Sequence, residues 1–325
     1  MKDDKMIHPS TVLVTGVAGF IGGCFARQFA KRFPHATIVG IDDLSAGRRD
    51  ALDSSLVFYH GSILDEQLLD DIFSRHRPEY VFHFAALPRV SYSVAYPRQT
   101  SEVNIVGTVA LLEVAKKYHA KRFVYSSSSS VYGGAKKVPT KETENPPDPK
   151  SPYAVQKHTG ESFCKLFSEL FGLETVCLRY FNVFGPGQYG DSPYSTVVCA
   201  WLEDLFFPKG DRAFIEGDGG QSRDFCYIDD VIEANILAMT SRRVFKGEPI
   251  NIAQGDGTTI NDVRRLITQH TGKKLDLVQR PARAGDVRHT RADISRAKRL
   301  LGYRPQVDFE EGLKRTIAWF VSREA

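Results

Sequence analysis

The first half of the chain alternates between two textures. Short runs of β-branched and aromatic residues are each followed by a stretch in which apolar positions return at helical spacing. The runs are Thr11 to Thr15, Thr37 to Ile41, Leu56 to Tyr59, Tyr80 to Phe84, Phe123 to Ser126 and Thr175 to Leu178. Strands that are apolar at successive positions are buried on both faces, and strands separated by helices pair in parallel. The pattern therefore predicts an α/β protein built on a doubly wound parallel sheet. One helix can be bounded from its ends: Ser151 is a good N-cap, Pro152 suits the first helical position, and Gly172 suits the stop.

Beyond about Phe181 the texture changes to loops rich in Gly, Pro and aromatic residues, FGPGQYGDSPY and FIEGDGGQSRDF, with helical segments between them. This predicts a dinucleotide-binding domain over residues 1–180 and a smaller α/β substrate-binding lobe over residues 181–325. A strand-like run at Pro249 to Ala253 sits among the helices of the second half, so the lobes are expected to interleave in sequence.

Composition narrows the class. With 325 residues, 42% hydrophobic and 25% charged, the chain has the balance of a soluble globular protein. No apolar run reaches the roughly 18 residues a membrane helix needs. The opening MKDDKMIHPS lacks the apolar core of a secretory signal, and a cytoplasmic protein is expected. The five cysteines are scattered without metal-ligand or redox spacing, so reduced core thiols and no bound metal are expected. A formal charge of +4 without a basic, aromatic-interleaved stripe argues against a nucleic-acid partner.

Candidate chemistry begins after the first strand. Gly16, Gly19 and Gly22 form G-x-x-G-x-x-G between a strand and a helical pattern, where glycines permit a tight turn, close approach of a pyrophosphate, and helix–strand packing. The second strand ends in Asp42, 26 residues after Gly16, near the separation at which an acid meets the adenosine ribose. A carboxylate there opposes a 2′-phosphate and favours NAD over NADP, although Arg48 and Arg49 come soon after it. Tyr-x-x-x-Lys occurs twice, at Tyr132/Lys136 and Tyr153/Lys157. Residues at i and i+4 share a face only on a helix, and Gly133-Gly134 interrupts the first pair, so Tyr153 and Lys157 are the candidates. Positive charge close to a tyrosine favours the phenolate and makes it a base.

Taken in order, TGVAGFIG, Asp42, FHFAALP, VNIVGT, VYSSSSSVYG, SPYAVQK, RYFNVFG, GDGGQSRDFCYIDD and RAGDVRHTRADISRAKRLLGY resemble the extended short-chain dehydrogenase/reductase family, of the UDP-galactose/UDP-N-acetylglucosamine 4-epimerase type. The resemblance covers nearly the whole chain and implies a Rossmann-type first domain that binds NAD. Carried over by motif, it implies that Ser128 hydrogen-bonds the sugar 4-hydroxyl beside Tyr153 and that Lys157 binds the nicotinamide ribose. The cofactor contacts it implies are Gly16, Gly19, Phe20, Ile21, Gly22, Asp42, Asp43, Ser45, Gly47, Ser62, Ile63, Ala85, Ala86, Leu87, Asn104, Ser126, Tyr153, Lys157 and Tyr180. For the UDP-sugar it implies Ser128, Ser129, Tyr153, Asn182, Thr196, Val197, Phe214, Glu216, Arg223, Arg283, Asp286 and Thr290. One departure stands out: many relatives carry Gly-Asp-Ile or Gly-Asp-Leu after the third strand, whereas here Gly61-Ser62-Ile63 offers the adenine amine a poorer acceptor.

All such relatives first oxidise the sugar C4, and the two residues after Ser128 separate them. The 4,6-dehydratases carry an Asp-Glu pair there to eliminate water; this chain has Ser129 and Ser130. The expected reaction is therefore C4 epimerisation of UDP-hexoses through a 4-keto sugar. The resemblance also implies that a small residue at Thr290 leaves room for an N-acetyl group, where a tyrosine restricts relatives to UDP-glucose and UDP-galactose. A homodimer through Val103 to Lys117 and Pro152 to Phe171 is implied too, though their apolar stripes suit packing within one subunit equally well. The alternatives are a reductase, a decarboxylase, a UDP-glucuronate epimerase, or a non-catalytic NAD-binding regulator.

Overall fold

The computed structural model describes residues 8–190, 195–210, 213–281 and 287–324. Its centre is a seven-stranded parallel sheet. The strands are β1 (Thr11–Thr15), β2 (Thr37–Asp42), β3 (Val57–His60), β4 (Tyr80–His83), β5 (Arg122–Ser128), β6 (Thr175–Tyr180) and β7 (Lys246–Ile252). Their order is β7-β6-β5-β4-β1-β2-β3. The chain winds outward from β1 to β3, then returns to lay β4 on the other side of β1, and so leaves a crevice at the carboxyl ends of β1 and β4.

Alternation along each strand explains both covered faces. Val12, Val14, Phe82, Val124, Val176 and Leu178 enter one core with the helix Phe20–Arg32 and the second half of the chain. Leu13, Val81, Phe123, Tyr125 and Cys177 enter another with the helices Glu66–His76, Thr108–Lys117 and Pro152–Phe171. The run at Pro249 lies within β7, which pairs with β6 at the sheet edge. An edge tolerates the missing N–H of proline. The helix Ile228–Thr240 likewise returns to pack on the helix Phe20–Arg32 and on β5.

The helix Pro152–Phe171 has the ends its sequence predicts: the Ser151 hydroxyl accepts from the Ala154 amide at 3.2 Å, and Gly172 closes it at φ +73°. Two features exceed the sequence reading. The strand β5 runs through to Ser128, and Glu102–Gly107 forms a π-helical turn ahead of the helix Thr108–Lys117. Such turns often sit at functional sites.

Candidate active site

A cleft of about 1120 Å³ opens at the carboxyl ends of the strands and runs from the glycine turn to Tyr153. Gly16 sits at φ +68°, and a Cβ there would lie 2.7 Å from the Ala85 nitrogen. A Cβ on Gly22 would lie 2.2 Å from the Gly16 carbonyl oxygen, which explains a residue without a side chain. Gly19 caps the helix Phe20–Arg32, whose first turn holds no acidic residue, so its positive end is free to meet an anion. Asp42 closes β2 with its carboxylate accepting from the Ala18 amide at 2.9 Å and the Leu44 amide at 2.8 Å. Burial raises its pKa and the two amides oppose that.

The wall at Ala85–Leu87 is held from behind. The Ala85 amide donates to the Thr15 hydroxyl (3.1 Å), and that hydroxyl donates to His83 Nδ1 (2.7 Å), because Thr108 on the other side of the neutral ring spends its proton on a carbonyl. His83 Nε2 then donates to the Thr108 hydroxyl (2.9 Å), and Thr108 donates to the Asn104 carbonyl (2.8 Å). The Asn104 side chain grips both the amide and the carbonyl of Leu87, at 2.8 and 3.1 Å, and also donates to Gln156. Asn104 therefore lies one layer behind the cleft. Burial drives the His83 pKa down from 6.5 to about 3, with Lys157 adding to the shift, so the ring is neutral.

Tyr153 and Lys157 share one face of their helix and meet the end of β5. The Lys157 ammonium donates to the Ser126 carbonyl at 2.8 Å, and the Ser128 hydroxyl lies close enough to the Tyr153 phenol to lower its pKa. Burial pushes the Tyr153 pKa up to about 12, against the Ser128 bond, and pulls Lys157 down to about 8, against Cys164 and Glu161. Without a cofactor, burial and Ser128 govern this phenol, and it is protonated at neutral pH. The other Tyr-x-x-x-Lys pair is separated: Tyr132 is buried and donates to Asn251 at 2.7 Å, while Lys136 is exposed.

Of the residues singled out in the sequence, the cleft is lined by Gly16, Gly19, Phe20, Ile21, Gly22, Asp42, Asp43, Ser45, Gly47, Ser62, Ile63, Ala85, Ala86, Leu87, Ser126, Ser128, Tyr153, Lys157, Tyr180, Asn182 and Thr196. Ser62 already accepts from the Leu64 amide at 3.2 Å. Ser129, Val197, Phe214, Glu216, Arg223 and Thr290 stand outside that lining. The segments that carry Arg223 and Thr290 are nonetheless joined, because Arg223 donates to the Val287 carbonyl at 2.7 Å and the Thr290 amide to the Ser222 carbonyl at 3.1 Å. Arg283 and Asp286 lie outside the described residues.

Sequence reasoning missed the opposite wall. Pro186, Gly187, Gln188, Tyr189 and Trp319 line the cleft. Arg48 and Arg323 stack on the Tyr189 ring at 4.1 and 4.5 Å, and Trp319 meets it edge-on at 5.2 Å. The Pro-Gly turn was a usable signal for Tyr189; Trp319, more than a hundred residues away, had none.

A parallel sheet, a glycine turn at an acid-free helix start, an acid closing β2 and a half-buried tyrosine beside a buried lysine in one cleft define a dinucleotide-dependent enzyme. The comparisons agree. The sequence model of the NAD dependent epimerase/dehydratase family matches residues 12–253. The UDP-glucose 4-epimerase of Thermotoga maritima, solved with UDP-glucose, superposes with a TM-score of 0.91 at 40% identity, covering 97% of this chain and 100% of that one. The UDP-N-acetylglucosamine 4-epimerase of Methanobrevibacter ruminantium M1, solved with UDP-N-acetylmuramic acid, gives 0.88 at 36% identity over 98% and 100%. A UDP-glucuronate 4-epimerase of Thermodesulfobacterium geofontis is 34% identical over 322 residues, 94% of this chain and 95% of that protein. The chain belongs to the NAD dependent epimerase/dehydratase family and its UDP-sugar epimerase relatives, and its cofactor is NAD.

Proposed function

We propose that this protein catalyses C4 epimerisation of UDP-hexoses and accepts UDP-N-acetylglucosamine and UDP-N-acetylgalactosamine as well as UDP-glucose and UDP-galactose. The observation that carries the reading is the end of β5. There the Ser128 side chain lies close enough to the Tyr153 phenol to lower its pKa, and the next two residues, Ser129 and Ser130, hold no carboxylic acid. Elimination of water from the sugar lacks an acid and a base at that place, which leaves return of the hydrogen to C4.

NAD, when bound, supplies a reversible hydride acceptor and a positive charge. The glycine turn and the helix start at Gly19 suit its pyrophosphate, Asp42 its adenosine ribose, and Lys157 its nicotinamide ribose. Tyr153 takes the proton of the 4-hydroxyl while Ser128 orients that hydroxyl. After the 4-keto sugar has turned over, Tyr153 gives the proton back to the same oxygen. The high pKa that burial confers suits the phenol to this return step.

The reading includes a cytoplasmic homodimer. No helix among the described residues is long and apolar enough to cross a membrane. Val106, Val155, Leu166 and Leu170 are exposed on the helical faces turned away from the sheet, with Leu170 at 68%, and they support pairing of those faces. The deciding experiment incubates the purified protein separately with UDP-glucose and UDP-N-acetylglucosamine, without added cofactor. The C4 epimer of each is expected; a 4-keto-6-deoxy sugar as the stable product would overturn the reading.

A further inference from the structure

The serines that end β5 are not equivalent. Alternation turns Phe123, Tyr125 and Ser127 toward the helix Pro152–Phe171, while the Ser126 hydroxyl faces that of Tyr180. Ser127 donates its hydroxyl to Glu161 at 2.6 Å. Glu161 lies one helical turn beyond Lys157 and two beyond Tyr153, and it is 5% exposed. Arg179 on β6 grips its carboxylate with two bonds of 2.7 Å each. The pair is sealed on its other side, where the Arg179 guanidinium lies 4.7 Å over the Tyr132 ring. The half-buried His158 ring approaches the same carboxylate at 3.4 Å.

The chemistry of the site brackets this bond. One residue before Ser127, the Ser126 carbonyl receives the Lys157 ammonium at 2.8 Å. One residue after it, the Ser128 side chain lies close enough to the Tyr153 phenol to lower its pKa. The helix and the strand therefore exchange two hydrogen bonds beside the Ser128–Tyr153 approach, and the bond through Ser127 touches no reacting atom. A buried Arg–carboxylate pair with short charge-assisted bonds is a rigid mount for such a contact.

We propose that Glu161, clamped by Arg179, is a positioning residue for the proton-transfer pair: through Ser127 it sets the end of β5 at the height where Ser128 reaches Tyr153 and the Ser126 carbonyl reaches Lys157. This rests on the reading of Ser128, Tyr153 and Lys157 as the reacting groups. Removing Glu161 or Arg179 would strand a buried charge and endanger the fold, so the informative variant is Ser127→Ala, which cuts the linking bond and leaves the ion pair whole.

The titratable groups packed about Tyr153 are Lys157 on its own helix and Tyr125 on β5, with Glu161 beyond Lys157. Ser127→Ala leaves every one of them in place. The Ser128 bond lowers the Tyr153 pKa, so loosening that bond moves the acid limb of the kcat profile to higher pH.

The experiment uses the NAD-loaded protein and tracks single-turnover reduction at 340 nm on adding UDP-glucose, normalised to bound cofactor, beside amide exchange of residues 122–132 before the sugar is added. Ser127→Ala is expected to slow reduction about tenfold, or about 1.4 kcal/mol of barrier, to raise the acid limb, to leave KM within about twofold, and to speed exchange. A purely structural bond would change the yield of folded, loaded protein without moving the rate per cofactor or the pH limb. A reduction rate in Ser127→Ala within about twofold of wild type overturns the proposal, whatever the exchange shows. A wild type that reduces no cofactor overturns the reading of the reacting groups instead.

Discussion

His83→Gln separates hydrogen bonding from titration in the wall of the cofactor cleft. His83 is 1% exposed and lies between the hydroxyls of Thr15 and Thr108, which in turn hold the Ala85 amide and the Asn104 carbonyl. Burial holds its pKa at about 3, against 6.5 when unfolded. Between those values the unfolded chain binds a proton that the folded ring refuses. The stabilisation is complete above 6.5 and is lost as the pH falls toward about 3. At about pH 5 the loss works out near 2 kcal/mol, taking about 1.4 kcal/mol for each unit below the unfolded pKa. Glutamine can still accept from one hydroxyl and donate to the other, but it does not titrate. The assay is urea unfolding of both proteins, freed of NAD so that ligand linkage drops out, at about pH 7.5 and about pH 5. Asp224, whose carboxyl burial pushes up to about 7, titrates in both and cancels in the comparison. The wild type should lose about 2 kcal/mol more than the variant on acidification. A gap between the two proteins that is the same at both pH values refutes the neutral, proton-excluding ring.

The proposed site makes three further outcomes measurable. Tyr153→Phe should lose well over tenfold in turnover, more than about 1.4 kcal/mol of barrier, while cofactor released on denaturation stays at the wild-type amount; turnover above about a tenth of wild type would point to another base. Asp42→Ala should narrow the preference for NAD over NADP, because it removes the carboxylate that opposes a 2′-phosphate; mass spectrometry showing NADP released from the wild type would refute the role given to Asp42. Thr290→Tyr should lose UDP-N-acetylgalactosamine relative to UDP-galactose by roughly 5- to 150-fold in kcat/KM, the equivalent of about 1 to 3 kcal/mol of overpacking; equal losses for both sugars would remove Thr290 from the substrate gate.

Much of the fold was legible because its signals are local. Both-face burial makes each strand an apolar run, and Ser151, Pro152 and Gly172 mark their helix without help from the rest of the chain. Gly16 and Asp42 are marked locally too, and helical spacing sets Tyr153 with Lys157 apart from Tyr132 and Lys136, which the structure separates. What stayed hidden depends on partners far along the chain. The full length of β5 is one case: its terminal serines are polar, and they run as a strand because Tyr180, Glu161 and Tyr153 wait for them. Asn104 is another, since a motif marks the residue but not that its amide is spent on Leu87 and Gln156. Tyr189 and Trp319 reach the cleft through a turn and a terminal helix, and no spacing rule connects them to Arg48.

The opposed pKa shifts at Tyr153 and Lys157 decide when the phenol can act as a base. Burial drives each group toward its neutral form, the phenol up to about 12 and the ammonium down to about 8. Lys157 therefore keeps its charge only below about pH 8, and it does so facing the Ser126 carbonyl, with its nitrogen 5.9 Å from the centre of the Tyr153 ring. Ser128 is the side chain that favours the phenolate, and burial outweighs it. The protein alone thus holds Tyr153 protonated at neutral pH, and the use proposed for it as a base requires positive charge beyond that of Lys157. Base strength in this cleft is then conditional on what fills it, and bound NAD would bring the positive charge that favours the phenolate.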